Sequence, residues 1–189
     1  RRYGIRPFFE PNDRNPYLAD FYRDMRTWAF RSQLWFLTHK FRLQLELQDD
    51  PGTVVQDRTI YEDAVFARTL VRLKLMEDRD YRTYVSLFRN MSNFMCRPNV
   101  IVYLDVRPER SLERIRMRQR NVESGMSLEY LEALYEEYEG FLRDISRSVP
   151  VIRVDWDQFR DVEEMAMVIE QEYLKGSFLR RAAWTPTRG

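Results

Sequence analysis

The sequence is short of cysteine, histidine and long apolar runs. Cys96 is its single cysteine and His39 its single histidine, so it holds neither the thiol pair of an intrachain disulfide nor a cluster of zinc ligands. Nowhere do 18 apolar residues run together, and no signal-peptide core follows the basic N-terminus. The sequence therefore predicts a protein of a reducing, cytosol-like compartment, with no membrane span and no secretion signal.

An excess of charge of one sign is also missing. The 31 basic and 30 acidic side chains nearly cancel, so the chain has no global field of the kind that attracts nucleic acid or a membrane surface. Any anion site must therefore be local. Lysine is rare, with Lys40, Lys74 and Lys175 as the only three, and the remaining basic residues are arginines. Arginine can hold phosphate through two parallel hydrogen bonds, although genome composition explains this bias equally well.

The order of apolar segments predicts an α/β fold in one domain. Predicted strands cover residues 53 to 56, Val100 to Asp105 and, as the last strand, Val151 to Asp155. The first helical region is predicted over residues 16 to 48, as one helix or as two with a break near 30 to 32. Further helices are predicted over 59 to 75, over 78 to 95, from Pro108 onward, from the cap Ser127 to Ile145, and over 161 to 174. Residues 176 to 189 are predicted to form a tail. The unbroken apolar run at Val100 to Asp105 is typical of a strand buried on both faces of a parallel sheet. Short strands between long helices predict such a sheet, covered by helices on both faces.

Charged side chains follow two of the apolar segments. Glu10 comes directly after Phe8-Phe9, and the pair Asp57-Arg58 comes after Val54-Val55-Gln56. The carboxyl ends of parallel strands meet at one edge of a sheet, which is where α/β proteins place their ligands. The sequence therefore predicts a catalytic crevice at this edge.

An ordered series of sequence blocks resembles the deoxynucleoside kinase family, especially its bacterial deoxyadenosine/deoxyguanosine kinases. The blocks are Phe9-Glu10-Pro11, Asn15-Pro16-Tyr17-Leu18, Phe21-Tyr22, Trp28-Ala29, Gln33, Asp57-Arg58-Thr59-Ile60-Tyr61, Phe66-Ala67-Arg68, Asp78-Arg79-Asp80-Tyr81, Tyr103-Leu104, Leu112-Glu113-Arg114-Ile115, Arg118-Gln119-Arg120 and Leu128-Glu129-Tyr130-Leu131. They run from about Tyr3 to about Tyr173. We therefore expect a kinase-like domain over residues 1–175 and a C-terminal tail over 176–189.

The resemblance implies a P-loop-kinase-like fold and an activity. Family members transfer the γ-phosphoryl group of ATP to the 5′-hydroxyl of a deoxynucleoside, here with a purine favoured, and magnesium arrives with the nucleotide. It further implies a homodimer or a subunit of a larger assembly, with the apolar stripes Tyr81 to Met91 and Leu131 to Ile145 as candidate surfaces. Neither a nucleic-acid partner nor direct insertion into a membrane is expected. The expected location is the cytoplasm, or the mitochondrial matrix for an organellar or complex-associated relative.

The resemblance also assigns catalytic residues. Glu10 resembles the general base that accepts the proton of the 5′-hydroxyl, and Arg58 resembles the arginine that contacts the 5′-oxygen and the transferring phosphate. Asp57 matches the acid near the magnesium ion. Taken alone, Glu10 would be a solvated residue before a proline turn, and Asp57-Arg58 a surface ion pair of small energetic value.

A second group of residues resembles the family's nucleoside-binding residues. Gln33 corresponds to the amide that pairs with the base, and Asp63 to an acid that helps to read it. Lys40 stands where purine-preferring relatives usually have arginine, and a point charge does not reproduce the guanidinium fork. The remaining matches are Phe66, for stacking on the base, and Tyr22 with Glu123, for holding the deoxyribose 3′-hydroxyl. Outside this context, Tyr22 and Phe66 would be read as core aromatics.

Three arginines resemble those of the lid that closes over the phosphates. Arg114 and Arg118 lie one helical turn apart on one face, and Arg120 follows where that helix should end. An arginine-rich helix end is also a common solvated surface. Further on, Asp157-Gln158-Phe159 follows the predicted last strand and is a weak candidate for a position near the base of the phosphate donor.

One element of the family pattern is missing. Members open with a strand and a phosphate loop of the form G-x-x-x-x-G-K-[ST], and no such motif occurs among these 189 residues. In the family that strand lies in the middle of the sheet, so its loss would leave unpaired backbone groups that cost about 1–3 kcal/mol each. The sequence could be part of a longer polypeptide, which we favour, another chain could complete the sheet, or the fold could be repaired otherwise. The alternative function is a non-catalytic structural or interaction subunit, because an accessory subunit of respiratory complex I resembles this family.

Overall fold

Strands and helices alternate along the chain, as the apolar pattern predicts. The structure, a computed structural model, describes residues 4–9, 14–118, 125–175 and 179–182. Its strands are β1 (Arg6–Phe8), β2 (Val54–Gln56), β3 (Ile101–Asp105), β4 (Val151–Asp155) and β5 (Leu179–Ala182). Its helices are α1 (Leu18–Arg23), α2 (Met25–Gln48), α3 (Ile60–Arg72), α4 (Asp78–Ser92), α5 (Pro108–Arg118), α6 (Leu128–Ile145) and α7 (Val162–Leu174). All strand pairs among these residues are parallel, which confirms the predicted helix-rich α/β class.

The strands form two separate parallel sheets. In the first, β1 pairs with β2, so that Phe8 lies opposite Gln56. In the second, the order is β3-β4-β5, with Asp105 opposite Asp155. Within the described ranges no ladder of backbone hydrogen bonds joins β2 to β3. The two sheets must therefore be held together by helices.

The prediction that β3 is buried on both faces is wrong for this chain. Val102 and Leu104 are 40% and 48% exposed, because β3 forms an edge of its sheet and one of its faces is left open by the described residues. The neighbouring strand β4 does have the predicted environment. Val151, Ile152 and Val154 alternate between its two faces, and all three are buried.

The break in the first helical region lies at Asp24 and not near residues 30 to 32. Asp24 leaves the helical conformation, with φ −145° and ψ 83°, and its carboxylate accepts from the Thr27 amide at 3.2 Å to cap α2. Asn15 was predicted to cap the first helix, but α1 begins at Leu18 and its N-cap is Tyr17, without a side-chain cap. Asn15 instead accepts from the Tyr17 amide at 2.9 Å in the turn that precedes the helix. Of the described helices, none combines the length and apolar character needed to cross a bilayer, including the 24-residue α2.

Strand β5 was not foreseen, because its sequence Leu-Arg-Arg-Ala carries two charged residues and lacks the apolar run expected of a strand. It lies inside the segment over 176–189 that was assigned to a tail, and it pairs with β4 from Leu179 opposite Val151 to Ala182 opposite Val154. The prediction that β4 is the last strand is therefore wrong.

The helices pack around two apolar clusters, which are connected because Phe30 and Tyr81 contact both. One joins α2, α3 and α4 through Leu37, Ile60, Ala67 and Tyr84, and the other joins α1, α2, α3 and α6. The apolar stripes of α4 and α6, predicted as candidate dimer surfaces, contribute to these clusters through Tyr81, Val85, Phe88, Met91, Leu131 and Leu134. Much of their apolar area is thus covered within the chain, and the structure singles out neither stripe as a subunit contact.

The contact between α3 and α6 connects the two sheets, because α3 follows β2 while α6 follows β3 and α5. Its rim carries ion pairs from Arg68 to Glu137 (3.1 Å) and from Arg72 to both Glu136 and Glu137. Exposed ion pairs contribute little stability, so the apolar and aromatic contacts beneath them must supply most of it.

We expect Ser127→Ala to lower the stability of the fold. The Ser127 hydroxyl caps α6 by accepting from the Tyr130 amide at 3.1 Å, as the sequence predicts. Loss of such a cap costs about 0.5–2 kcal/mol, which should appear as a lower midpoint in thermal or urea unfolding. Ser127→Asp keeps an acceptor at this position and should retain most of the stability. Equal midpoints for wild type and Ser127→Ala would contradict this role.

Candidate active site

The end of β2 places two charged residues next to the end of β1. The Asp57 amide donates to the Phe8 carbonyl at 2.9 Å, and both Asp57 and Arg58 are exposed. Glu10, which follows β1 in the chain, lies outside the described residues. The structure thus brings the Asp57-Arg58 pair to the strand edge where the sequence predicts a crevice.

Arg58 adopts an uncommon backbone conformation. Its φ is 61°, in the left-handed region that costs a non-glycine residue about 1–3 kcal/mol. Its guanidinium carbon lies 5.2 Å from the centre of the Phe66 ring on α3, within cation–π range. Strain of this kind persists only where the surroundings hold the residue in place, and it is common at functional sites.

The inward face of α2 is unusually polar. Its buried positions are Ala29, Ser32, Gln33, Leu37, Lys40, Gln44 and Leu47, of which Gln33 is 5% and Lys40 1% exposed. Buried polar groups need partners, and polar side chains on the buried stripe of a helix point to a site more than to a core. Gln44 was not singled out from the sequence, and it donates to the Cys96 carbonyl at 3.3 Å.

Lys40 forms a buried ion pair with Asp63 on α3. The Lys40 ammonium donates to Asp63 Oδ1, and Asp63 is 2% exposed. The structure therefore brings Lys40 and Asp63, two of the three residues predicted to read a base, together between α2 and α3. Gln33, the third, is buried on α2 about two helical turns before Lys40. Beside the ion pair the Tyr84 hydroxyl is fully enclosed and has no hydrogen-bond partner among the described residues. Burial, and next the charge of Asp63, raise the pKa of Tyr84 well above its ordinary value, so this phenol is a neutral donor.

Tyr22 on α1 closely approaches Gly125, which precedes α6. A Cβ atom added to Gly125 would lie 2.9 Å from the Tyr22 carbonyl oxygen, so only glycine allows this close approach. Glu123, predicted to share the 3′-hydroxyl with Tyr22, lies outside the described residues.

Sequence reasoning missed Tyr130, a buried residue on α6. Burial raises its pKa, the neighbouring Tyr22 raises it further, and the positive charge of Arg58 lowers it. The Tyr130 phenol therefore lies near both Tyr22 and Arg58. In the sequence Tyr130 appears only within the family-like block Leu128-Glu129-Tyr130-Leu131, with no role assigned to it.

Phe66 is held from its other side by α6. The ring of Tyr138 meets the Phe66 ring edge-on, with centroids 6.0 Å apart and an interplanar angle of 85°, and the Tyr138 phenol donates to Glu62 Oε2 at 2.9 Å. Neither Tyr138 nor Glu62 was singled out from the sequence. The two lie 76 positions apart, so no local pattern could reveal the pair.

The arginines of α5 differ in their surroundings. Arg114 donates to the carbonyls of Trp156 (2.7 Å) and Asp157 (3.1 Å), and its guanidinium carbon lies 4.2 Å from the centre of the Phe159 ring. It thereby fixes the loop between β4 and α7. Arg118, one turn later, is exposed at the end of α5, and Arg120 lies outside the described residues.

The same loop is fixed from the β3 side by Arg107. The Arg107 amide donates to Asp157 Oδ1 at 2.8 Å, and its guanidinium donates to Oδ2. Burial opposes ionisation of Asp157, but these hydrogen bonds outweigh it and hold the pKa of Asp157 below its ordinary value. The exposed ring of Phe159 is thus presented on a well-anchored loop.

A half-buried polar network around Arg153 was also missed. Arg153 on β4 donates to Asp105 at 2.7 Å, to Glu139 at 2.6 Å and to the Tyr135 hydroxyl at 2.9 Å, and that hydroxyl donates to Asp105 at 3.1 Å. The network joins β3 and β4 to α6. The one sign of this network in the sequence is Arg153, an arginine within a strand predicted to be buried.

The described residues include no group of three His, Cys, Asp or Glu side chains that could hold a metal ion without a ligand. Asp57 offers a single exposed carboxylate at the strand edge. One or two carboxylates with nucleotide phosphates are the usual surroundings of Mg²⁺. The donor set therefore fits a magnesium ion that arrives with a nucleotide.

We expect Lys40→Met to destabilise the protein strongly, because it leaves the Asp63 carboxylate buried without its ammonium partner. Breaking a buried pair from one side costs about 3–5 kcal/mol, whereas an apolar replacement of both partners is often tolerated. Urea unfolding should show this loss for Lys40→Met and a recovery of most of it in Lys40→Met/Asp63→Leu. Equal stability of the single and the double variant would contradict the coupling.

Comparison with known proteins agrees with this geometry. The sequence pattern of the deoxynucleoside kinase family matches residues 1–175. The deoxyadenosine kinase of Dictyostelium discoideum is 48% identical over 174 residues, which are 92% of this chain and 71% of that protein. The deoxyadenosine/deoxycytidine kinase of Bacillus subtilis strain 168 is 34% identical over 90% of this chain and 81% of its own length.

Solved structures show the same fold. The deoxyadenosine kinase of M. mycoides, with the products dCMP and a flexible dCDP bound, superposes with a TM-score of 0.82 at 26% identity and covers 92% of this chain and 88% of its own. The same enzyme with bound dATP gives a TM-score of 0.80. The fold is thus that of the P-loop kinases, and the chain belongs to the deoxynucleoside kinase family.

Proposed function

We propose that this protein transfers the γ-phosphoryl group of ATP to the 5′-hydroxyl of a deoxynucleoside, with a purine preferred. Family membership supports deoxynucleoside kinase activity, and the names of several relatives support the purine. The observation that carries the proposal is the set of polar side chains buried between α2 and α3, namely the Lys40–Asp63 ion pair and Gln33 on the same helix as Lys40. An apolar helix interface has no need of such groups, whereas a nucleobase does.

The base is proposed to bind between α2 and α3. A glutamine amide offers one acceptor and one donor side by side, which matches the amino group and ring nitrogen of adenine. Lys40 and Asp63 add a cation and an anion to the groups that would face the hydrogen-bonding edge of the base. Phe66, with Arg58 against its ring, supplies the aromatic surface for stacking.

The sugar is proposed to lie between Tyr22 and the segment that contains Glu123. The close approach of Gly125, two positions after Glu123 in the sequence, to the Tyr22 carbonyl supports this placement. A phenol and a carboxylate can together bind a hydroxyl, one as donor and one as acceptor. In the proposal they hold the 3′-hydroxyl and thereby direct the 5′-hydroxyl to the ends of β1 and β2.

Phosphoryl transfer would take place at those strand ends. Glu10 accepts the proton of the 5′-hydroxyl while the hydroxyl oxygen attacks the γ-phosphorus of ATP. The bond between the γ-phosphorus and the ADP oxygen breaks, and ADP leaves. Arg58, with Arg118 and Arg120 from the end of α5, balances the negative charge that spreads over the phosphoryl oxygens. The left-handed backbone of Arg58 supports its role, because strain of this kind is common at functional sites.

ATP is proposed to enter from the side of α5. Asp57 would be one carboxylate ligand of the magnesium ion, which would neutralise part of the charge of the phosphates. The Phe159 ring is 76% exposed and carries the Arg114 guanidinium at 4.2 Å. We place the base of the donor against this pair, so that Arg114 contacts the base and Arg118 the phosphates.

Binding and turnover test the proposal separately. Deoxyadenosine or deoxyguanosine should raise the thermal unfolding midpoint by several degrees, because a ligand that binds only the folded state stabilises it. Glu10→Gln should keep this shift and lower the formation of deoxynucleoside monophosphate from ATP about 10²- to 10⁴-fold, as expected for loss of a general base. The exposed Glu132→Gln on α6 is the matched control. No shift with any nucleoside would refute the proposal, and normal turnover by Glu10→Gln would refute the role of Glu10.

The contact of Gly125 with Tyr22 gives a test of the sugar site. Gly125→Ala should raise the Kd for deoxyadenosine about three- to tenfold, the equivalent of one hydrogen bond. The Kd for 2′,3′-dideoxyadenosine, which lacks the 3′-hydroxyl, should change less than about twofold. Gly140→Ala on α6 is the control, since its new methyl group meets no atom within 4 Å. An equal loss for both nucleosides in calorimetric titrations would contradict the assignment.

A further inference from the structure

Tyr138 lies at the centre of the contact between α3 and α6. Its phenol donates to Glu62 in the first turn of α3, and the edge of its ring contacts Phe66 one turn later. On another side its ring lies 5.6 Å from that of Tyr103 on β3, at an angle of 32°. One side chain thus contacts both the helix that follows β2 and a strand of the other sheet.

Phe66 depends on its neighbours for its orientation. It is half-buried, and its ring contacts are the Tyr138 ring at 6.0 Å and the Arg58 guanidinium at 5.2 Å. Arg58 is itself held in a strained backbone conformation. If the Tyr138 ring were absent, Phe66 could turn toward the vacated space, and Arg58 would lose the aromatic face that it packs against.

We propose that Tyr138 is a positioning residue for nucleoside binding, which holds the Phe66 ring in the orientation that stacks on the base. This inference rests on the proposed function, in which Phe66 contacts the base while Tyr138 contacts no substrate. Tyr103 supports the Tyr138 ring from behind, and Tyr103 is in turn covered by the Arg153 guanidinium at 5.7 Å. The orientation of Phe66 is therefore set by the sheet through Tyr138.

The Tyr138 hydroxyl has a lesser part than its ring. Burial, and next the charge of Glu62, raise the pKa of Tyr138 well above its ordinary value, so the phenol stays protonated and donates to Glu62. This hydrogen bond ties α6 to the start of α3. Phe66 contacts the aromatic ring of Tyr138, and a phenylalanine at position 138 would keep that ring.

The test compares three variants of the full chain by calorimetric titration with deoxyadenosine. Tyr138→Leu removes the ring and should raise the Kd about tenfold. Tyr138→Phe keeps the ring and should rescue binding to within about threefold of wild type. In a Phe66→Leu background, Tyr138→Leu should have almost no further effect, because two residues that act through one contact are not additive.

Tyr173→Leu is the matched control, since Tyr173 is also a helical tyrosine but lies on α7, is 49% exposed and has no part in these contacts. It should leave the Kd within about twofold. If Tyr138→Leu does not fold, Tyr138→Met takes its place, with circular dichroism as the check on folding. A wild-type Kd in Tyr138→Leu, or full additivity with Phe66→Leu, overturns the inference while the proposed function stands. A wild type that binds no deoxynucleoside overturns both.

Discussion

The packing of α3 against α6 is the contact on which the rest of the structure depends. The two parallel sheets share no backbone ladder in the described residues, so their relative position is fixed by the helices that follow them. The aromatic series Phe66, Tyr138 and Tyr103 runs through this contact from α3, the helix that follows the first sheet, to β3 of the second sheet. Side chains at the ends of β2 and at the end of α5 keep a defined geometry only while this contact holds.

The same helices must also bury charge. Lys40 and Asp63 are almost fully enclosed, and a buried ion pair seldom stabilises a fold more than apolar residues of similar size would. The α2–α3 interface therefore gives up some stability for a polar surface inside an apolar core. The apolar clusters around Leu37, Ile60 and Leu70 offset that cost and keep the two helices close. Such a balance is expected where a site must be rigid before its ligand arrives.

Local signals allowed much of the fold to be predicted from sequence. Ser127 as the cap of α6 and the apolar run of β4 were recognisable because each acts within a few residues. The break at Asp24 was missed because the apolar periodicity continues through it, and β5 because its composition is charged. The position of Asp57 and Arg58 at the end of an apolar segment predicted that they lie at the edge of a sheet. The family resemblance predicted that Lys40 and Asp63 are neighbours. Contacts between distant parts of the chain, such as Arg114 with the carbonyl of Trp156, 42 positions away, leave no local pattern.

Base selection under the proposed function follows from what Gln33 and Lys40 can distinguish. The glutamine amide matches an amino group beside a ring nitrogen, and both adenine and cytosine have that edge. An ammonium adds three donors without the fixed fork of a guanidinium, so Lys40 imposes less direction than arginine would. Hydrogen bonding at this edge thus separates amino-bearing bases from others, but it does not separate purine from pyrimidine. Under the proposed function that choice is left to the aromatic surface on which the base stacks, the Phe66 ring. In this proposal the orientation of Phe66 would affect substrate preference as well as affinity, and its contact with Tyr138 of α6 would set that orientation.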